Sequence, residues 1–275
     1  MTTTPTQMPD YAAIKGRQRQ TWGSGDYGII AALIVPTAER LCEAVELQAN
    51  QRVLDVATGT GNAAIAAARR LCAVTGVDYA PSLLERARAR AAAEGLSMAL
   101  AEEDAEALSA PDGAYDVVLS TFGVMFSPNQ QQAARELLRV CRPGGRIGLA
   151  NWTPEGWIGE MLRIVGRHVP PPAGLRPATR WGSEDGVREL LGDGLSSLQA
   201  TRQLFLWRFA SAEQYLHLFR SFYGPTVKAF EALDAGGQQA LANDLCEAFG
   251  RYAHPTHGTF QVPAEYLEVV AVRGS

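Results

Sequence analysis

The stretch VLDVATGTGNAAIAAARR, from Val53 to Arg70, decides the fold. A short apolar run carries Asp55 near its end, passes through a turn that contains Gly59 and Gly61, and continues as an alanine-rich segment of helical composition. This pattern predicts a strand, a glycine loop and a helix. Glycine permits close backbone approaches that a Cβ would block, and the first amides of a helix have no intrahelical partner. A polar ligand can therefore lie against this junction.

The junction by itself does not identify the ligand. Dinucleotide enzymes also place a GxGxxG loop after a strand, although here Ala64 stands where the third glycine would be. Asp55 lies where the strand ends, so its carboxylate is placed to receive a donor such as an ammonium group.

Composition and charge narrow the class of protein. The chain has 275 residues, of which 47% are hydrophobic and 20% charged, as in a globular protein with one large domain and an elaboration. A net charge of −4 gives no broad attraction to nucleic acid or to an anionic membrane. The four cysteines lie far apart, outside any CxxC or Cys/His cluster, so no metal site is expected. No run approaches the roughly 18 apolar residues that span a bilayer, and we expect a cytoplasmic protein.

After the glycine loop the chain alternates between strands and helices. The second strand ends in Asp78, and the following helix has Pro81 in its first turn and Gly95 at its end. Such alternation predicts an α/β fold with a parallel sheet covered on both faces and ligands at the carboxyl ends of the strands. An RPGG turn at 142–145 precedes the fifth strand. The predicted strands after the first are 73–77, 97–101, 116–121 and 146–151, and the helices between them are 81–94 and 129–140.

Polar residues recur at the strand ends. Asp78 follows Gly61 by 17 residues, where an acid can accept both hydroxyls of a ribose. Asp104, after the third strand, could hold the exocyclic amine of a base. With the glycine loop, these acids indicate an adenosine-bearing ligand with a polar tail. The alternative is that Asp78 and Asp104 are helix N-caps or surface acids.

Five motifs follow one another in a familiar order: VLDVATGTGNAA, VTGVDYAP, EEDAEAL, YDVVLSTFGVMF and ELLRVCRPGGRIGLANW. In these motifs, over about 53–152, the chain resembles a class I S-adenosylmethionine-dependent methyltransferase, similar to the quinone-biosynthesis C-methyltransferases and related small-molecule enzymes. The resemblance implies a Rossmann-like, doubly wound sheet of seven mostly parallel strands with an antiparallel last strand. It also implies S-adenosyl-L-methionine as cofactor and S-adenosyl-L-homocysteine as product.

The resemblance assigns a role to each motif residue. Gly59 and Gly61 would pass beneath the methionine part of the cofactor. Asp55 would receive its ammonium group directly or through water. Asp78 would bind the ribose hydroxyls, and Tyr79 would pack on the adenine.

Further cofactor contacts follow from the later motifs. Asp104 would accept the adenine amino group, Ala105 would contribute its backbone amide, and Ser120 would offer its carbonyl near the methionine moiety. The family often has glycine where this chain has Ala57, which requires only that a small side chain fits. Tyr27 belongs to TWGSGDY, which is either a flap over the ligand or an aromatic staple for the first helix.

The chain divides into three predicted parts. Residues 1–47 form an N-terminal arm and helix that cap the cofactor site, 48–209 with 259–275 form the methyltransferase core, and 210–258 form a helical insertion. The insertion separates the sixth predicted strand, 198–209, from the seventh, 265–272. Two apolar helical stripes within it indicate a substrate lid. They would serve equally as extra core or as a dimer face, so a homodimer stays open.

The acceptor pocket is expected to be apolar or aromatic, which favours a small apolar or aromatic acceptor methylated at oxygen, carbon or nitrogen. Because the cofactor is already an activated donor, a catalytic base is needed only if the nucleophile arrives protonated. His254, His257 and Tyr223 are the candidates for such a base, each with a structural role as the alternative. The alternative function is a protein that binds the cofactor without transferring methyl, either as a sensor or as a rearrangement enzyme. The expected substrate-binding residues are Phe122, Met125, Phe126, Trp152, Trp157, Phe222 and Tyr223.

Overall fold

A mixed β-sheet forms the centre of the computed structural model, which describes residues 9–275. The strands are β1 (Arg52–Val56), β2 (Ala73–Asp78), β3 (Ala99–Glu102), β4 (Tyr115–Thr121), β5 (Cys141–Trp152), β6 (Leu195–Phe209), β7 (His254–Thr256) and β8 (Thr259–Arg273). Their order is β3-β2-β1-β4-β5-β8-β6, with β7 paired to β8. The first five strands are parallel, and β8 runs antiparallel to both β5 and β6.

Helices cover both faces of this sheet. Their ends follow the local sequence: Asn129 caps one helix by accepting a hydrogen bond from the Gln132 amide, and Gly95 takes a φ of +68° just after another. The helices are α1 (Tyr11–Trp22), α2 (Tyr27–Leu33), α3 (Val35–Ala44), α4 (Asn62–Arg69), α5 (Pro81–Ala93), α6 (Gln130–Val140), α7 (Trp157–His168), α8 (Glu184–Leu191), α9 (Ala212–Phe222), α10 (Gly224–Glu231) and α11 (Ala235–Tyr252).

The predicted doubly wound, mostly parallel sheet of seven strands with an antiparallel last strand is confirmed, and a short eighth strand, β7, is added to it. The described residues form eight strands because the chain after α11 makes a short hairpin on the start of β8. Thr256 pairs with Thr259 across a two-residue turn of His257 and Gly258, which have φ values of +50° and +78°. Two positive φ values suit the tight turn of a β-hairpin.

The RPGG segment is not a turn that precedes β5, as predicted, but a bulge within it. Cys141 pairs with Tyr115, and the next pair joins Arg146 to Val117. The four residues between Cys141 and Arg146 therefore loop out of the ladder, and Gly144 there has a φ of +69°.

The insertion, 210–258, holds α9, α10, α11 and β7. Its aromatic stripes meet one another: Tyr215 stacks on Phe249 with ring centroids 5.3 Å apart, and Phe219 is also buried. Tyr215 and Phe219 of the first stripe contact Trp157 of α7. Phe249 of the second stripe contacts Phe209 at the end of β6. The aromatic residues of the insertion therefore pack against one another and are part of the main hydrophobic core.

The arm forms a helix that lies back against the carboxyl edge of the sheet. Lys15 of α1 reaches Asp104, and the Gln18 side chain donates to the Phe126 carbonyl at 3.0 Å. The first eight residues of the predicted 1–47 segment lie outside the described part. No helix among residues 9–275 has the length and apolar character needed to cross a membrane.

Candidate functional site

A cavity opens at the carboxyl ends of β1, β2 and β4, beside the start of α4. It contains about 840 Å³ of free space, including its mouth. Residues of α1, of α2 and of the loop after β3 complete its walls, so segments far apart in sequence meet there. The expected cofactor residues that line it are Tyr27, Asp55, Ala57, Gly59, Asp78, Tyr79, Asp104 and Ala105.

Asp55 lies at the floor of the cavity and is only 1% exposed. Its Oδ2 accepts hydrogen bonds from the Thr58 hydroxyl at 2.6 Å and from the Ala64 amide at 2.9 Å. Burial disfavours the charged form and raises the pKa of Asp55 to about 7, against the opposing effect of these hydrogen bonds. One buried carboxylate thus fixes the glycine loop to the first turn of α4.

Asp78 closes the loop from the neighbouring strand. Its two carboxylate oxygens accept from the amides of Gly59 and Ala80, each at 2.9 Å. Burial raises the pKa of Asp78 to about 6. Since each carboxylate oxygen can accept a second bond, Asp78 retains capacity for a ligand that donates hydroxyl groups.

Ala57 shows why glycine is common at its position. It has a φ of +54°, in the left-handed region that favours glycine. A Cβ at Gly123 would lie 2.6 Å from the Ala57 Cβ, so alanine fits here because residue 123 has no side chain. Gly61, with a φ of +87°, forms the N-cap of α4 behind the cavity wall.

An ion-pair cluster closes the other end of the cavity. The Lys15 Nζ lies 2.6 Å from the Asp104 carboxylate and 3.0 Å from Glu106. Asp104 also accepts a hydrogen bond from the Glu106 amide, at 2.9 Å. Sequence reasoning missed Lys15, because a lysine on a polar helix carries no signal of a partner about ninety residues away.

Ser120 is not among the residues that line the cavity, and its predicted contact through the backbone carbonyl stays a prediction. Its side chain is fully buried, donates to the Val56 carbonyl at 2.7 Å and accepts from the Val124 amide at 3.0 Å. The next residues, Thr121 and Phe122, take the wall position instead. Successive side chains of a strand point in opposite directions, so the side chains of Ser120 and Thr121 face different sides. The motif alone did not resolve which of the two faces the cavity.

Two buried polar atoms at the cavity wall show that the wall suits a polar ligand. The Thr121 hydroxyl and the Gln18 side-chain oxygen have no hydrogen-bond partner among the residues described. Buried polar groups are normally satisfied, so these two positions fit a ligand with hydrogen-bonding groups.

An apolar chamber with about 330 Å³ of free space, including its mouth, adjoins the cavity. The residues that line both spaces are Trp22, Tyr27, Ile34, Phe122 and Phe126. Phe122 has a φ of +59° and stacks on Trp152, with parallel rings 3.9 Å apart. Four of the expected substrate residues meet here: Phe122, Phe126, Trp152 and Tyr223.

The other three expected substrate residues do not line the chamber. Trp157 is fully buried in the aromatic core of the insertion, and Met125 is buried behind the wall. Phe222 is half-buried, and its carbonyl packs against the Gly25 turn. Residues that the sequence did not single out as acceptor contacts take their places: Trp22, Ile30, Ile34, Ile158, Met161, Trp207 and Phe219.

None of the three candidate bases is supported. His254 and His257 are exposed on the β7–β8 hairpin and line neither space. Burial raises the pKa of Tyr223, so its phenol stays protonated at neutral pH. Apart from Tyr27 and Tyr223, the chamber wall in the described residues holds no ionisable side chain.

Comparison with known proteins agrees with this geometry. A family profile described as a methyltransferase domain matches residues 53–145. An uncharacterised protein of Mycobacterium tuberculosis is 44% identical over 218 residues, which cover 78% of this chain and 80% of that protein. A demethylmenaquinone methyltransferase of Thermus thermophilus is 40% identical over 128 residues, or 45% of this chain and 58% of that enzyme. Among solved structures, the YcgJ protein of a Bacillus species has a TM-score of 0.62 at 17% identity, covering 86% of this chain and 98% of its own.

Proposed function

The chain belongs to the class I S-adenosylmethionine-dependent methyltransferases, and we propose that its methyl acceptor is a small molecule whose reacting part is apolar or aromatic. The enzyme uses S-adenosyl-L-methionine as cofactor and carries out S-adenosylmethionine-dependent methyl transfer.

The cavity wall supports a specific placement of the cofactor. Asp78 would accept the ribose hydroxyls, Asp55 would receive the ammonium group, and Asp104 would accept the adenine amine. The unsatisfied Thr121 hydroxyl and the spare acceptor capacity of Asp78 favour this placement. Tyr27 would cover the cofactor from the side of α2.

The apolar chamber is the observation that carries the acceptor proposal. Its wall is aromatic and aliphatic, and it adjoins the cofactor cavity at Phe122 and Phe126. The wall offers few polar groups, chiefly the phenols of Tyr27 and Tyr223, so most polar groups of a sugar or a charged metabolite would lose their hydration without gaining partners, which costs several kcal/mol per polar group. An apolar or aromatic reacting group loses nothing of this kind.

The chemistry asked of the protein is alignment and exclusion of water. When bound, S-adenosylmethionine supplies an activated methyl group, so no covalent enzyme intermediate is needed. The phenols of Tyr27 and Tyr223 stay protonated because burial raises their pKa, and they can orient an acceptor oxygen by donating to it. Since no base lines the chamber within the described residues, the preferred acceptor is one that loses its proton readily, such as an acidic phenol or a carbon acid that gives a stabilised carbanion.

A panel of acceptors tests the proposal. Purified protein is incubated with methyl-labelled S-adenosylmethionine and 1-naphthol, substituted phenols, hydroquinones, glucose or glycine, and labelled product is quantified together with S-adenosylhomocysteine. We expect product with the aromatic hydroxyl compounds, at rates that rise as the pKa of the phenol falls. Transfer to glucose or glycine alone would contradict the acceptor class. Tight cofactor binding without turnover across a broad aromatic panel would favour a sensing protein.

A further inference from the structure

A second open space lies beside the cofactor cavity, between α7, the segment 169–179 that follows it, and the segment 124–128 after β4. We call it the α7 groove. Its free volume, about 1280 Å³ with its mouth, exceeds that of the cofactor cavity. The two spaces meet at Gln18, Phe126, Ser127 and Pro128, which line both. These four residues form the boundary between the two spaces.

The floor of the α7 groove is apolar. Leu162, Val165 and Val169 contribute from α7 and its end, and Met125 and Leu175 contribute from the opposite side. An apolar lining of this kind can take up the apolar part of a ligand. The shape and lining suit an extended hydrocarbon chain.

The charged side chains that line the groove are all arginines. Arg163, Arg167 and Arg176 line it, and its wall contains no acidic residue within the described part of the chain. Arg163 pairs with Glu160 and donates to the Pro154 carbonyl at 3.2 Å, while Arg167 lies 3.9 Å from Asp244.

Arg176 forms no ion pair within the described residues 9–275, whereas Arg163 and Arg167 each have an acidic partner. It is exposed at the end of the groove formed by the segment 169–179. The groove thus combines an apolar floor with a positively charged rim, which complements an amphipathic anion.

Gly166 keeps the groove open. Glycine is unfavourable inside a helix relative to alanine, and a Cβ at Gly166 would meet only the Pro171 ring, at 3.9 Å. Packing therefore does not demand glycine at this position. By contrast, a Cβ at Gly159 would lie 2.4 Å from the Thr153 carbonyl oxygen, so glycine is required there for packing. A side chain at 166 would instead project into the groove.

We propose that the α7 groove binds the distal arm of the methyl acceptor, and that this arm is an apolar chain ending in a carboxylate. The inference rests on the proposed function, since it extends the acceptor from the chamber past Phe126 into the groove. The reacting end stays in the aromatic chamber, and the carboxylate lies among Arg163, Arg167 and Arg176.

Fluorescence titration tests the groove directly. The probe is 11-(dansylamino)undecanoate, added below its micellar concentration to protein saturated with S-adenosylhomocysteine. Dodecanoate should displace it at least tenfold more effectively than dodecyltrimethylammonium or dodecan-1-ol. Gly166→Leu should weaken probe binding at least tenfold, and Arg176→Gln should weaken dodecanoate about threefold or more without changing dodecan-1-ol.

Matched variants serve as controls. Gly250→Leu alters another helical glycine that has free space around it but lies outside the groove, and Arg188→Gln removes an exposed arginine of α8. Both should bind the probe like the parent protein. Any of three results would overturn the proposal. These are probe binding to Gly166→Leu with the affinity of the parent protein, equal displacement of the probe by dodecanoate and dodecyltrimethylammonium, and no probe binding to the parent protein. Calorimetry of the parent protein with S-adenosylhomocysteine separates the two claims. If S-adenosylhomocysteine binds and the probe does not, only the groove proposal is refuted. If S-adenosylhomocysteine does not bind, the proposed function is refuted.

Discussion

Asp78 combines two roles in one side chain. It holds the glycine loop through the amides of Gly59 and Ala80, and it is the candidate for binding the ribose. In Asp78→Asn one acceptor oxygen becomes a donor, so a loop contact and a ribose contact are lost together. We expect binding of S-adenosylhomocysteine to weaken by about 1.5–3 kcal/mol, roughly 10- to 150-fold in Kd, measured by calorimetry.

The control for this change is Glu231→Gln, which alters an exposed acid on α10 and should leave the affinity unchanged. Circular dichroism establishes whether the Asp78 variant is folded. A folded variant with parental affinity would show that the ribose does not lie against Asp78.

The buried acids also make cofactor binding depend on pH. Burial raises the pKa of Asp55 to about 7 and that of Asp78 to about 6, so the free enzyme takes up protons as the pH falls through this range. An ammonium group and ribose hydroxyls bind the ionised carboxylates. Affinity should therefore decline as the pH falls from about 8 to 5.5, and binding near pH 6.5 should release between about 0.5 and 1 proton. Calorimetry in buffers of different ionisation enthalpy measures this release.

The stability of the free enzyme has the opposite dependence. Because these two pKa values lie above the unfolded value of about 3.9, the folded state binds more protons between about pH 4 and 7. Their contribution to the free energy of unfolding thus falls as the pH rises through that window.

Asp55→Asn should remove most of the proton release on cofactor binding. Unchanged proton release in this variant would assign the release to other groups.

At the scale of single elements, α1 is held to the site by an ion-pair cluster and by Trp22, which packs on Phe126 and Tyr223. Ile14 is its one buried residue, while Lys15 bridges Asp104 and Glu106 and is itself largely shielded. Lys15→Gln leaves two acids facing each other without a cation. We expect α1 to dock about 1–3 kcal/mol less tightly, and S-adenosylhomocysteine to dissociate roughly five- to twentyfold faster in stopped-flow measurements.

Arg17→Gln removes the same charge from an exposed position of the same helix and serves as the matched control. Its dissociation rate should equal that of the parent protein. If both variants release the ligand at the parental rate, α1 does not retain the cofactor through Lys15.

The elements differ in how far their sequences predict them. The parallel strands and their helices were predictable because apolar runs bounded by glycine, proline and acids are local signals. Helix α1 was not, since its sequence is polar and the partners of Lys15 lie about ninety residues away. The chamber wall was predicted only in part: Trp157 and Trp207 are both buried aromatics, and only tertiary packing decides that Trp207 lines the chamber.

At the scale of the whole molecule, the cavity is lined by segments that lie far apart in the sequence. Lys15 and Tyr27 come from the arm, Asp55 and Asp78 from strand ends, and Asp104 from the loop after β3. A ligand that contacts all of these residues binds only the folded chain. By mass action it therefore raises the free energy of unfolding of the whole domain.

S-adenosylhomocysteine at 100 times its Kd should therefore raise the free energy of unfolding by about 2.7 kcal/mol, which corresponds to roughly 5–10 °C in Tm for a protein of this size. Scanning fluorimetry measures the shift, and Asp78→Asn at the same ligand concentration should show a clearly smaller one. Hydrogen exchange should slow in α1 as well as in the glycine loop, because the ligand lies between them. A full shift in Tm without protection of α1 would mean that the arm does not close on the cofactor and that the core alone binds it.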